Sequence, residues 1–333
     1  MREYSGPGIE AAWREVLADK RPAILRGLVK DWPAVCRFHE SPGALVNYLR
    51  QHDSGAAVDA LMTAPELDGQ ISYNEKMSGF NFHRNRLPLS AVAEQILRYG
   101  QFPKPPAVAV QSALIRDCLP AFSKENSLKL LDDTVLPRIW LGNRITTPTH
   151  VDEWNNLACV VAGRRRFTLF PPEQVANLYV GPLDFAPTGA AMSLASLRNP
   201  DFEKHPRFRD ALTASMSAEI GPGDAIFIPP LWWHHVESLE PLNVLVNYWW
   251  HEMQGEAAKA DSAFDALVHG ILSIRDLPPQ TRRAWAAFFE HYVFGAHSEV
   301  TEHIPVERRG ILADLTEAQQ AALRAHLIKK LNR

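Results

Sequence analysis

Residues 146–157 read TTPTHVDEWNNL and residues 221–239 read GPGDAIFIPPLWWHHVESL, and the fold turns on these two stretches. The second holds a short apolar run, AIFI, bounded by turn-forming residues, and the first reads as a short strand, the marks of a mainly β region. Alternate residues of a strand leave the same face, so His150 and Asp152 stand together and can meet one ion. One His-x-Asp pair is weak evidence, because a chain with 13 histidines supplies about one by chance. The second stretch adds an imidazole from His234 or His235. Adjacent strand residues face opposite ways, so only one of the two joins the pair. Trp232 and Trp233 read as packing.

Outward from these stretches, the strand signal continues through PRIWLGNRIT, PTHVD, LACVVAG, RRFTLFP, GDAIFIP, HHVESL and LNVLVNYWW. Runs of that length and spacing suggest a barrel or sandwich over residues 136–250. Residues 1–135 mix helix and strand. Helical periodicity covers Ile9 to Leu17, 41–51 and 88–99, whereas RPAILRGL and AVAVQSAL read as strands. From about 256 the pattern turns helical: Trp285, Phe288, Phe289 and Tyr292 recur at helical spacing, and Thr316 with Gln319 forms a capping-box signature before Leu323 and Leu327.

Composition excludes some classes of function. The 333 residues are 46% hydrophobic and 22% charged, as in an ordinary globular protein, and no stretch is apolar for the roughly 20 residues of a membrane span. Lys plus Arg number 35 against 38 Asp plus Glu, and the net charge of −3 gives no bulk attraction to a nucleic-acid backbone. MREYSGPGIEAAW lacks the apolar core of a secretory signal. Cys36, Cys118 and Cys159 stand singly and read as buried structural thiols in a reducing compartment. A cytoplasmic protein is expected.

Two imidazoles and one carboxylate form a facial triad. Such a set leaves room on the ion for a chelating 2-oxo acid and dioxygen, and its nitrogen donors favour iron(II) over magnesium. A redox-active ion is expected.

These residues resemble the JmjC cupin-like 2-oxoglutarate oxygenases, and within them the protein-asparagine hydroxylases. The resemblance runs through RPAILRGLVKDWPAV, TPTHVDEWNNL, GRRRFTLFPPEQ, GPGDAIFIPPLWWHHVESL and VNYWW, roughly residues 10–250. It implies a double-stranded β-helix over 136–250, in an oxygenase domain of 1–255, and a helical C-terminal extension, 256–333, that makes a homodimer. It selects His234 as the third metal ligand, beside His150 and Asp152. Thr147 and Arg165 are implied for the distal carboxylate of 2-oxoglutarate. The family more often has lysine at the second position, although a guanidinium fork suits a carboxylate as well. Alternation allows Arg165 to point inward while Arg164 and Arg166 stay in water. Asn156, Asn247 and Trp249 match positions that line the iron and cosubstrate site. Where the family has a cosubstrate-binding tyrosine, VAVQSA places Ala109, which implies a wider pocket, weaker 2-oxoglutarate binding or a different oxo acid.

The expected activity is hydroxylation of an unactivated C–H bond with iron(II), 2-oxoglutarate and dioxygen, on a protein or peptide side chain. The rivals are a small-molecule hydroxylase, a lysine demethylase, a zinc- or manganese-dependent cupin enzyme and a non-catalytic metal-binding cupin. An intact Thr147 and Arg165 argue against the zinc or manganese enzyme, and the complete triad against the non-catalytic one.

Overall fold

A computed structural model describes residues 1–187, 189–251 and 263–332. Up to residue 125 the chain forms β1 (Arg2–Ser5), α1 (Gly8–Asp19), β2 (Ala23–Arg26), α2 (Pro33–Glu40), α3 (Pro42–His52), β3 (Ala57–Thr63), β4 (Phe82–Pro88), α4 (Leu89–Tyr99), β5 (Ala107–Leu114), α5 (Ile115–Cys118) and α6 (Phe122–Glu125). Local chemistry sets these boundaries. Ser41 accepts the Ala44 amide at 3.0 Å to cap α3, with Pro42 in the first turn. Helix α4 buries Leu89, Val92, Ala93 and Ile96, one stripe at helical spacing.

The remaining strands are β6 (Pro137–Gly142), β7 (Thr146–Val151), β8 (Asn155–Ala162), β9 (Arg165–Phe170), β10 (Met216–Ile220), β11 (Ala225–Ile228), β12 (Trp233–Ser238) and β13 (Asn243–Trp250), with α7 (Phe208–Ala214) before β10. Two sheets result, ordered β1-β2-β11-β8-β13-β6-β5-β3-β4 and β10-β9-β12-β7. The chain passes from sheet to sheet at nearly every step from β6 to β13. That winding is the cupin jelly roll of the double-stranded β-helix kind, flanked by helices.

Strand β8 shows how packing fixes the sandwich. Its Ala158 and Val160 join Phe167, Leu169, Val236 and Ile226 between the sheets. Its Leu157, Cys159 and Val161 face the other way, with Trp13, Leu45, Leu89 and Ile96 of the helices. A strand covered on both faces needs an unbroken apolar run, as LACVV is. Phe170 and Trp233, on the outer face of the smaller sheet, pack on Phe208 of α7.

Several expectations need correction. PRIWLGNRIT is not one strand: β6 ends at Gly142 and β7 begins at Thr146. Gly142 lies where an added Cβ would come within 2.9 Å of the Val108 carbonyl, so β5 and β6 approach closely there. Strands β1, β3, β4 and β10 left no strand reading in the sequence. Cys118 and Cys159 are buried, but Cys36 is exposed on α2, because the buried stripe of that short helix falls on Ala34 and Val35.

The chain divides into units Met1–Trp250 and His251–Arg333. The expected boundary at 255/256 lies outside the described residues. The second unit contains α8 (Ala263–Ile274), α9 (Pro279–Phe289) followed by a π-helical turn over Glu290–Phe294, α10 (His297–Thr301) and α11 (Glu317–Leu331). The capping box of Thr316 and Gln319 is present at the start of α11. Trp285, Phe288, Phe289 and Tyr292 are 45%, 56%, 36% and 50% exposed. Among the described residues no helix is long and apolar enough to cross a membrane.

Candidate metal and cosubstrate site

His150 on β7 and His234 on β12 are cross-strand partners, with ring centroids 4.1 Å apart. Both face the interior of the sandwich, since His234 also pairs with Leu169 of the inner core. Asp152 sits one residue beyond the end of β7 rather than on the strand itself. Its carbonyl accepts the Leu231 amide at 2.8 Å, and Leu231 has φ 63°, uncommon for a branched residue, in the turn that leads into β12. That turn brings Asp152 Oδ2 to 3.5 Å from His234 Nε2. One donor atom from each of His150, Asp152 and His234 lies within 4.8 Å of the others.

The donors suit a cation. His150 Nδ1 lies 2.8 Å from the Pro148 carbonyl and His234 Nδ1 3.0 Å from the Trp232 carbonyl. A carbonyl only accepts, so each Nδ1 carries the proton and each Nε2 offers a lone pair. Burial, reinforced by the charge of His150 and opposed by Asp152, pushes the His234 imidazole below its ordinary range and favours the neutral form a metal needs. Asp152 Oδ2 is buried without a hydrogen bond, a cost that a bound cation removes. His235 pairs with Thr168 on the outer face and does not join the group.

Arg165 behaves as alternation requires. It is 6% exposed, opposite Ser238 at the far end of β12 from His234. The side chains of Arg164 and Arg166 are 57% and 43% exposed and pair with Glu219, Glu237 and Glu240. Arg165 has no carboxylate partner among the described residues and its Nε is buried without a hydrogen bond. Burial pushes its guanidinium down to about 10. A buried, unpaired cation costs several kcal/mol and calls for an anion. Thr147, half-buried, pairs with Val236 on the same inner face of β7.

Asn156, Asn247 and Trp249 meet on the opposite wall. Trp249 pairs with Asn156, and Asn247 Nδ2 donates to Asn156 Oδ1 at 3.3 Å. Trp140, which the sequence reading passed over, donates from Nε1 to Asn247 Oδ1 at 2.9 Å and meets Trp249 edge-on at 6.0 Å. Its signal was present, since alternation through PRIWLG puts Arg138 and Trp140 on one face. Ala109 is the cross-strand partner of Gly142, on the face of the large sheet that carries Trp140, and is buried among Leu61, Ile71, Phe82 and Ile145.

Comparison with known proteins follows the same lines. The profile of the cupin-like domain family matches residues 9–256. The chain is 27% identical over 260 residues to Lysine-specific demethylase JMJ31 of Arabidopsis thaliana, covering 69% of this chain and 46% of that protein. It is 33% identical over 149 residues to human HSPB1-associated protein 1, covering 44% of this chain and 30% of that protein. It is 25% identical over 253 residues to Jumonji C domain-containing protein 5 of Drosophila melanogaster, covering 74% and 59%. In all three the match spans less than two thirds of the relative's length. With a fold, a triad and a family match that coincide over the same strands, the chain belongs to the cupin-like domain family, beside proteins named for the JmjC domain.

Proposed function

We propose that this chain is an iron(II)- and 2-oxoglutarate-dependent oxygenase that hydroxylates an unactivated C–H bond on a protein or peptide side chain. The observation that carries this reading is one inner surface holding both a His-Asp-His donor set and, farther in, an unpaired buried arginine. Iron with 2-oxoglutarate and dioxygen supplies the oxidising power, which no side chain possesses. The protein contributes position and exclusion of water.

In this reading His150, Asp152 and His234 hold the iron, and the two backbone carbonyls behind the imidazoles fix their tautomers. Arg165 and Thr147 anchor the distal carboxylate of 2-oxoglutarate. Asn156, Asn247 and Trp249 form the facing wall, kept in place by Trp140. An arginine fork seats a carboxylate in one orientation, which favours a dicarboxylic cosubstrate over a simple metal-dependent cupin reaction. Demethylation of lysine, the activity in the name of the Arabidopsis relative, starts with the same hydroxylation and differs in substrate alone. We place the enzyme in the cytoplasm and assign the exposed aromatic stripe of the C-terminal unit to a homodimer.

The test is incubation of the iron-loaded protein with 2-oxoglutarate, oxygen and host-cell protein extract, with a metabolite library in parallel. Peptides that gain one oxygen, together with succinate release above the uncoupled background, support the proposal. Succinate release stimulated by metabolites alone, with no oxidised peptide, overturns the protein-substrate reading and leaves the oxygenase chemistry standing.

A further inference from the structure

A second arginine faces the interior, at the end of the barrel that carries the triad. Arg138 on β6 pairs with Asn247, and the strand β8 that bears Asn156 begins three residues after Asp152. Trp140, two residues along β6, packs against the inner core, which places Arg138 on the inner face as well. Its guanidinium carbon lies 5.7 Å from the centroid of the Trp249 ring, a cation–π arrangement.

The guanidinium is also held from behind. One terminal nitrogen, Nη1, lies 2.9 Å from the Ser112 carbonyl and 3.3 Å from the Ser112 hydroxyl, and donates to both. Ser112 has φ 52°, a backbone region that residues with a Cβ rarely adopt. It lies where the pairing of β5 with β6 slips between Val110 and Ala113. The irregular strand thus presents a carbonyl to Arg138 and fixes one corner of its fork. Nε and Nη2 make no hydrogen bond among the described residues, and no carboxylate pairs with the side chain there. The outer arginines of the barrel differ: Arg164 and Arg166 are each paired with two glutamates.

Two inward arginines without an acid partner therefore stand on this lining, one deep and one at the mouth. Arg165 accounts for the anion of the cosubstrate in the function proposed above. We propose that Arg138 is a specificity-determining residue that receives a carboxylate of the peptide substrate, so that the site selects segments with an aspartate or glutamate beside the residue oxidised. This rests on the protein-substrate reading. A half-buried, pre-oriented guanidinium with two open donors is the donor set a carboxylate takes, whereas a neutral amide would leave its charge unanswered.

The test uses the full chain with iron(II) and 2-oxoglutarate under anaerobic conditions, where binding is seen without turnover. Three synthetic peptide pools of random sequence differ only at one central position, fixed as glutamate, glutamine or lysine. Wild type should retain the glutamate pool about tenfold better than the glutamine pool, the strength of a hydrogen bond to a charged group. Arg138→Gln should bind both equally, with its glutamine-pool affinity, 2-oxoglutarate affinity and melting temperature unchanged. Arg138→Lys should keep part of the preference, and Arg138→Glu should shift it to the lysine pool. Equal retention by wild type, or a glutamate preference that survives Arg138→Gln, overturns the inference. Loss of 2-oxoglutarate affinity in Arg138→Gln assigns the residue to the cosubstrate and overturns it too. Retention of no pool by the wild type removes the peptide-substrate reading itself, which separates that failure from the others.

Discussion

Thr147 and His150 lie three residues apart on one strand and still share a face. Strand β7 spends one residue more than β12 between the His234–His150 and Val236–Thr147 pairs, so the extra residue turns Thr147 back toward the interior. Pro148, in this irregular stretch, has no amide hydrogen to contribute to a ladder, and its carbonyl accepts from His150 Nδ1. The same distortion thus orients a candidate metal ligand and a candidate cosubstrate contact.

Thr147→Val keeps the branched shape and removes the hydroxyl. A neutral hydrogen bond is worth about 0.5–1.5 kcal/mol, so 2-oxoglutarate affinity should weaken about 2- to 10-fold. Iron affinity should not change. Titration calorimetry of the variant checks both, and an unaltered 2-oxoglutarate affinity would assign Thr147 to packing alone.

For Arg165 stability and binding should move in opposite directions. Because its charge is buried without a partner, Arg165→Met should leave the cosubstrate-free protein as stable as wild type or more so. Loss of a charged hydrogen bond of about 1.5–3 kcal/mol should weaken 2-oxoglutarate binding about 10- to 100-fold. Denaturant unfolding and cosubstrate titration are the measurements. A destabilised variant with unchanged affinity would give Arg165 a purely structural role.

The sequence carried much of this site because strand alternation is a strict rule. It placed Arg165 inward between two outward arginines, and it sent His234 and His235 to opposite faces. It could not place Thr147, which simple alternation puts opposite His150; only the resemblance to a family supplied that position, and an irregular strand explains it. Asp152 reaches the cluster by a turn beyond β7, not by alternation. Strand β4, FHRNRLP, carries charge at an open sheet edge, where protection against edge pairing overrides the period-two apolar signal. The packing of Leu61, Phe82 and Ile145 around Ala109 was not readable from residues far apart in the chain.

His235 should give the fold an acid-sensitive component. Burial, with the charges of His150 and His234 adding to it, pushes its imidazole from 6.5 down to about 4. Between those values the unfolded chain holds the proton and the folded one does not. The penalty is therefore absent above about pH 6.5 and grows as pH falls toward about 4, to about 3 kcal/mol at most. His235→Gln does not titrate and should flatten the stability slope of the metal-free protein across that window. The same slope in both proteins contradicts this account.

The C-terminal unit should associate through α9. The Trp285 and Phe288 rings meet at 5.7 Å between centroids, tilted by 56°, and both are about half exposed in the single chain. An apolar surface of that kind on a helix marks an interface. Light scattering at micromolar concentration should give a dimer mass, and Phe288→Arg should lower it to that of a monomer. A monomer mass for the wild type removes the dimer.

The most direct test of the central claim compares iron(II) binding and 2-oxoglutarate turnover in two neighbouring variants. Under anaerobic titration wild type and His235→Ala should each bind iron, and both should release succinate once oxygen is admitted. His234→Ala should do neither, as should His150→Ala and Asp152→Ala. Full activity in His234→Ala with loss in His235→Ala would contradict the assignment of the metal site.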